Sequence, residues 1–573
     1  MQYDAGRFKD YFEHQMTYGA GFRRNVARYG SAVAMIDPPT GRQWTYAELG
    51  ADVEASAKML ADRGVGRGSP VMYQLFNGPE FALLYLATHR LGAISVPINF
   101  RLAPGETAHI LRDSQPSVFI VDADCAAAAA RALEIAEISP LVLVAGTPDG
   151  GLPDGGLPGG WDDFGAALEQ ARLELAAAAE RGEPASSALP PLPADFSTYE
   201  ESTRLYTSGT TGMPKGVALP SIAELMSAHD VIMHFPLTPY DRTLNMTPWF
   251  HRGGLHSGGP NPSFYIGAGV VPLRSFNPAT VLDWVGDYGL TFLIGAPTTL
   301  EMIAEEQEKQ PRDISTLKGI VTMGAPLDRA AALRYQELLT PRIFNGYGTT
   351  EAFWNTFLRP EDLPERAGTA GRACTDDDVA VVKVFPDRRA RPDELAAQDG
   401  TEAGEMIMRS PKAGYSYVNL PGADEEKFVD GWLYPGDMAT WDADGFVTIL
   451  GRKDDMIISG GENIHPVQVE GVLAEHPEVL DSVVVSVPDP QWGQRVVAYV
   501  VPRSEAATAD ALDEFCLAHP GLADFKRPRA YRFVDSVPLT ATGKKMHFKL
   551  AETAVEDLGA GNLMVPGTAV NTE

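Results

Sequence analysis

Cysteine is scarce: three in 573 residues, Cys125, Cys374 and Cys516, too far apart to form a C-x-x-C pair. That argues against a disulfide-stapled scaffold and against zinc-ribbon spacing, and it suits a reducing compartment. Positive charge is also in short supply. Lys and Arg number 47 against 76 Asp and Glu, and the resulting net charge of −29 repels nucleic acid and anionic membrane surfaces. Any polyanionic ligand must therefore meet a local basic patch. Long apolar runs are missing too, and the opening MQYDAGRFKDYFEHQ has no apolar signal-peptide core. The expectation is a soluble cytoplasmic protein without membrane insertion. A chain of this length is expected to form more than one domain, each with a sizeable core.

A Walker phosphate loop is absent as well, although one stretch comes close. Tyr206 to Val217 reads YTSGTTGMPKGV, with the right span from Gly209 to Lys215. Pro214 stands where the second glycine belongs, and Gly216 where the magnesium-binding hydroxyl belongs, so P-loop chemistry does not transfer. Backbone N–H groups of a Gly-rich turn, the hydroxyls of Thr207, Ser208, Thr210 and Thr211, and the Lys215 ammonium still suit an anion. Taken alone, the stretch reads first as a flexible surface turn, and only its company makes it a site.

The amino-terminal part alternates helix and strand signals. Thr45 and Glu48 make a capping box ahead of Tyr46, Leu49, Val53, Ala57 and Leu60 at helical spacing, and Gly64 to Gly66 stop the helix. Pro70 to Phe76 reads as a buried strand. Residues 146–198 read as a weakly constrained insert: a DGGLPDGGLPGG loop, a helix from about Asp162 to Arg181, and a Pro-rich stretch. Three apolar runs end in Gly-containing loops: TFLIGAPT, IVTMGAPL and RIFNGYGTTE. Alternating with helices, they predict a parallel sheet with a ligand site at its carboxyl edge. From about Arg452 the pattern changes to a small α+β unit, and Val555 to Glu573 reads as a loose tail. The expected domains are 1–451 and 452–573.

Six motifs then occur in order: YTSGTTGMPKGV, PWFHRGG, NGYGTTEA, GWLYPGDMATWDADGF, GRKDDMIISGGENIHP and PLTATGKKMHFKL. Together they resemble the acyl- and aryl-CoA synthetases of the adenylate-forming superfamily over about residues 20 to 550. The carboxyl-terminal part is most similar to the chlorobenzoate–CoA ligases. The resemblance implies a large multi-layer αβαβα domain, a small mobile α+β domain, and a two-step reaction. A carboxylate attacks the α-phosphate of Mg-ATP with release of pyrophosphate, and the thiol of coenzyme A then displaces AMP to give a thioester. The implied partners are a small carboxylic acid, ATP, Mg²⁺ and CoA. The resemblance allows a homodimer.

Residue roles follow by motif as what the resemblance implies. Thr207, Ser208, Gly209, Thr210, Thr211, Gly212 and Lys215 grip the β- and γ-phosphates. Gly324, Ala325 and Pro326 form the adenine wall, although Met323 precedes them where the family usually has glycine. In the next motif Asn345, Gly346 and Gly348 surround Tyr347, which stacks on adenine; Thr350 touches the α-phosphate, and Glu351 binds Mg²⁺. Asp437 and Arg452 hold the ribose. Lys544 reaches the α-phosphate during adenylation, and Asp454 is the hinge. Trp492, Phe525, Arg527, Arg529 and Arg101 meet the nucleotide end of CoA, and Gly460 and Gly461 line its pantetheine tunnel. His251 matches a position between that tunnel and the acyl site, as a gate, with a packing role equally open. Trp249, Phe250, Phe353 and Trp354 supply aromatic bulk suited to an aryl or compact acid. Arg252 either pairs with a polar group of the acid or reaches solvent. Two rivals remain: an acyl-AMP ligase that loads a carrier protein, and a non-catalytic nucleotide-binding protein.

Overall fold

The computed structural model describes residues 4–146, 157–183, 189, 194–208, 213–385, 387–459, 462–519, 522–539 and 545–567. Its first sheet has seven strands in the order Asp162–Asp163, Leu141–Ala145, Val118–Asp122, Pro70–Gln74, Ile94–Pro97, Glu201–Ser208 and Pro214–Pro220. Neighbours are parallel except the last pair, which is an antiparallel hairpin. A second sheet of nine strands has Arg242–Asn245, Phe292–Gly295, Gly319–Met323 and Ile343–Thr349 as its parallel centre. The three apolar runs singled out above are thus adjacent strands. Their inner residues are buried and read as continuous apolar segments, as expected of a parallel sheet covered on both faces.

Local chemistry explains the helices that frame these sheets. Thr45 Oγ1 accepts the N–H of Glu48, and Glu48 Oε2 accepts the N–H of Thr45 at 2.8 Å. This capping box starts the helix Tyr46–Ala61, whose Tyr46, Leu49, Val53, Ala57 and Leu60 are all buried. Gly64 follows with φ +80°, a left-handed turn that favours glycine. The insert helix Phe164–Glu180 is more constrained than its composition suggests. Phe164, Leu168 and Ala171 are buried, and Arg172–Asp52 and Lys58–Glu174 pairs at 2.8 Å dock it on the helix Tyr46–Ala61. Most of the DGGLP repeat and most of the Pro-rich stretch lie outside the described residues.

A third sheet joins Phe428–Val429, Trp432–Leu433, Gly404–Arg409, Asp437–Trp441 and Val447–Arg452, with Asp378–Val382 paired to Gly404–Arg409. Beyond Arg452 the chain forms a hairpin, Ile457–Ser459 with Glu462–Ile464, and a three-stranded sheet of Val479–Asp489, Gly493–Pro502 and Ala530–Phe533. One expectation is corrected here. Val555 to Gly567 are no loose tail: the helix His547–Ala560 takes in the first six of them, with Leu550 and Ala554 buried one turn apart, and the rest of the expected tail lies outside the described residues. Asp557 accepts the Tyr499 O–H at 2.7 Å, and Met564 pairs with Tyr531. Gly559 was no breaker because it lies one residue inside the helix end, which Gly561 closes in a left-handed cap.

Candidate active site

The Thr/Gly stretch is the turn of the hairpin Glu201–Ser208 and Pro214–Pro220, closed by Thr207 opposite Lys215 and Ser208 opposite Pro214. Gly209, Thr210, Thr211 and Gly212 lie outside the described residues. Lys215 is half-buried and enters no ion pair among the described residues. The base of the hairpin is held from the side, where the Tyr206 O–H donates to Asp113 at 2.6 Å and His109 meets the carbonyl of Pro214 at 3.1 Å.

Gly324, Ala325 and Pro326 follow directly on the strand Gly319–Met323. Gly324 has φ +83° with open space around it, so conformation rather than crowding calls for glycine there. Met323 itself points inward and is buried. On the neighbouring strand Gly348 is required by close approach, because a β-carbon would lie 1.5 Å from the carbonyl oxygen of Phe353. Asn345 and Gly346 are buried, and Tyr347 is half-buried. The Tyr347 hydroxyl donates to Asp437 Oδ2, while Arg452 Nη1 donates to Asp437 Oδ1 at 2.9 Å. Burial and the adjacent Asp437 carboxylate push the Tyr347 phenol well above its ordinary value, so it stays a donor. Three residues that are 15 to 105 positions apart in sequence thereby form one site, since Asp437 and Arg452 begin and end paired strands beside the Tyr347 strand.

The turn after this strand carries Thr350 and Glu351. Arg252 Nη1 donates to the Thr350 carbonyl at 2.7 Å, the Gly414 N–H donates to the Glu351 carbonyl at 2.8 Å, and the Tyr417 hydroxyl donates to Glu351 Oε1 at 2.6 Å. Arg252 also donates to Ser227 Oγ and to the Lys412 carbonyl. The solvent reading of Arg252 is therefore overturned. It is 4% exposed, and both terminal nitrogens donate to the protein, while its Nε is buried without a hydrogen-bond partner among the described residues. His251 lies just before it, with its Nε2 buried and unpartnered. Burial, and then Arg101, lower its pKa to about 3, so the ring is neutral at working pH. Trp249 is fully buried edge-on to Phe81, whereas Phe353 and Trp354 stack on each other and, with Phe235 and Phe357, belong to the core between sheet and helices.

The description of the AMP-binding enzyme family matches residues 22–418, and that of the AMP-binding enzyme C-terminal domain matches residues 468–544. The chain belongs to the AMP-binding enzyme family. It is similar to the indoleacetate–CoA ligase of Aromatoleum aromaticum, 32% identical over 88% of this chain and 92% of that protein. It is equally similar, at 32% identity over 92% of this chain and 93% of the relative, to a 4-chlorobenzoate–CoA ligase of an Arthrobacter species. In structure it resembles the anthranilate CoA ligase AuaEII in complex with anthranoyl-AMP, with a TM-score of 0.81 and 25% identity over 95% of this chain and 98% of that one. The chain is an ATP-dependent acid–CoA ligase, an enzyme that activates a carboxylic acid as its adenylate and passes it to CoA. The non-catalytic reading falls with this.

Lys544, Gly460 and Gly461 lie outside the described residues. Lys545, the neighbour with which Lys544 could be confused, is engaged within the small domain: its Nζ lies 2.9 Å from Asp481 and donates to the Ser482 carbonyl at 2.6 Å. Asp454 is exposed directly after the last strand of the third sheet. Trp492 is 52% and Phe525 41% exposed, with no contact between the rings. Arg527 is paired with Asp513 at 2.8 Å, and Arg529 donates to the Asp524 carbonyl. Arg101 is exposed, its guanidinium 5.1 Å from the Phe100 ring centre.

The sequence reading missed a buried polar face on the helix Ser221–His234. Glu224, Ser227 and Asp230, at i, i+3 and i+6, meet His256 at 2.8 Å, Arg252 at 3.1 Å and Lys412 at 3.1 Å. The signal for it was weak: Glu224, Ser227 and Asp230 fall toward one side of a helix that also carries Ser221, His229 and His234. Asp230, His234 and Cys374 also bring donor atoms within 4.8 Å of one another. Lys412, 2.8 Å from Asp377 and 3.1 Å from Asp230, already supplies positive charge there.

Proposed function

We propose that the acid is compact, an aryl or short to medium acid. The observation that carries this is the filling of space beside Gly253 and Gly346. Met323 occupies it so closely that a β-carbon on Gly253 would lie 3.0 Å from the Met323 sulfur, and the Trp354 indole sits 2.7 Å from where a Gly346 β-carbon would be. Two glycines that could have opened a channel are instead covered by large side chains. A long acyl chain then has no room to run past the adenylate.

The residue roles fit the geometry. The hairpin around Thr207 and Lys215 takes the phosphates that leave. Tyr347, tethered through its hydroxyl, offers a ring face to adenine, and each Asp437 oxygen keeps a lone pair for the ribose. Thr350 faces the α-phosphate. Glu351 offers a carboxylate whose Oε2 accepts no hydrogen bond among the described residues, which suits a hard cation sharing its remaining positions with phosphate oxygens and water. Bound there, Mg²⁺ supplies charge neutralisation to the phosphates. Lys544 adds the cation for adenylation, the domain 452–573 turns about Asp454, and Gly460, Gly461, Trp492, Phe525, Arg527, Arg529 and Arg101 serve CoA. Neutral His251 acts as a gate, because a base of such low pKa holds protons poorly. A panel of benzoates, cinnamates and aliphatic acids of graded length, scored by CoA-thioester formation, tests the substrate reading: compact acids should react, and activity confined to long-chain acids would overturn it.

A further inference from the structure

The turn Thr350–Ala352 is not a relaxed one. It joins two antiparallel strands with Thr349 opposite Phe353, and Phe353 closes it with φ 60°, a left-handed conformation that a bulky residue adopts only when its surroundings enforce it. The enforcing contacts are on one adjoining segment and one side chain. Residues 410–418 run along the phosphate hairpin: Val418 N–H donates to the Gly216 carbonyl at 2.8 Å, Ala218 N–H donates to the Ser416 carbonyl at 3.2 Å, and Tyr417 pairs with Val217. The same segment reaches the turn through Gly414 and the Tyr417 hydroxyl. Its other end is held by Arg252, which bonds the Lys412 carbonyl and the Thr350 carbonyl with one fork and lies 5.5 Å from the Phe353 ring centre. Lys412 Nζ then anchors to Asp230 and Asp377.

We infer that Arg252 and Tyr417 are positioning residues that hold the Glu351 carboxylate at a set distance from the phosphate hairpin, with residues 410–418 as the strut between them. The inference rests on the magnesium role proposed for Glu351. Tyr417 orients the carboxylate itself, and Arg252 orients the peptide that carries it. A planar fork suits this task, since it spans two carbonyls and a hydroxyl at fixed angles, which a lysine ammonium does not.

The test uses the full-length enzyme and acid-dependent ATP–pyrophosphate exchange at varied Mg²⁺, alongside conversion of supplied acyl-AMP to thioester. Partners of a metal-binding carboxylate are worth about 10- to 100-fold in metal affinity or activity. Tyr417→Phe removes only the hydroxyl, so it should raise the Mg²⁺ midpoint about tenfold, be partly rescued by excess Mg²⁺, and leave thioester formation from acyl-AMP near wild type. Arg252→Met should slow adenylation more than the second step, and Arg252→Lys should not restore it. If Tyr417→Phe keeps the wild-type Mg²⁺ midpoint, or if Arg252→Met slows both half-reactions alike, the inference is wrong. Should Arg252→Met fail to fold, Tyr417→Phe decides alone. Wild-type enzyme that shows no Mg²⁺-dependent exchange with any acid would instead sink the proposed role of Glu351.

Discussion

Replacing Asp437 with Asn isolates the contribution of the ribose carboxylate. Asp437 is 9% exposed, and each of its oxygens already accepts one hydrogen bond, from Tyr347 and from Arg452 at 2.9 Å. An asparagine keeps the shape but turns one acceptor into an NH₂ group. With the amide oxygen kept on Arg452, the NH₂ group meets the Tyr347 hydroxyl, which must turn to accept from it, so both bonds lose the charge of the carboxylate and Arg452 loses its counter-charge. A hydrogen bond to a charged group contributes about 1.5–3 kcal/mol. Because the Arg452 side chain is 26% exposed, water offsets part of the lost pairing, and a stability loss of about 2 kcal/mol follows. For catalysis the loss falls on ATP: weaker acceptance from the ribose hydroxyls and a Tyr347 ring freed from its tether should lower kcat/KM for ATP about 10- to 100-fold. The KM for the acid and that for CoA should stay nearly constant. Pyrophosphate release at varied ATP, with acid saturating, gives the first number, and thermal unfolding gives the second. A drop in melting temperature with kcat/KM for ATP within about threefold of wild type would show that Asp437 is only a strand-end anchor, and the ribose assignment would fail.

Two further predictions concern the small domain and the buried polar face. Lys544→Ala should lower adenylation by about 3 kcal/mol, roughly a hundredfold, while conversion of supplied acyl-AMP to thioester survives, and Gly461→Leu should do the reverse; equal damage to both steps by both variants would rule out alternating use of the domain. Glu224→Gln should destabilise the fold by about 3 kcal/mol at neutral pH, because it breaks a fully buried pair with His256. Burial alone would raise the Glu224 pKa, but His256 and the Tyr85 hydroxyl outweigh it and hold the group well below the ordinary carboxylate range. Its stabilisation is thus complete above the unfolded value and lost only as pH falls toward the depressed folded one. Chemical denaturation below about pH 5 should show the gap between the two proteins shrinking as pH falls toward the depressed Glu224 value; a gap that does not change with falling pH would contradict the pairing.

Local chemistry was enough for much of this molecule. The Thr45–Glu48 box, the three strands that end in Gly-containing loops, and the presence of a smaller carboxyl-terminal α+β unit could all be read directly, because capping geometry, strand burial and turn composition act over a few residues. The motif order likewise carried the family. What the chain did not reveal was whatever depended on distant partners. Arg252 was read as a surface or substrate-facing group, yet its three acceptors come from residues 227, 350 and 412, and no local rule brings those together. Val555 to Ala560 looked loose because two glycines flank their end, while the burial of Leu550 and Ala554 against a β-sheet stabilised the helix regardless. Glu224 and Asp230 are buried on their helix because packing places His256 and Lys412 opposite them. A buried charge is tolerated only where tertiary structure delivers a counter-charge and hydrogen bonds, and that pairing is a property of the folded core rather than of any segment within it.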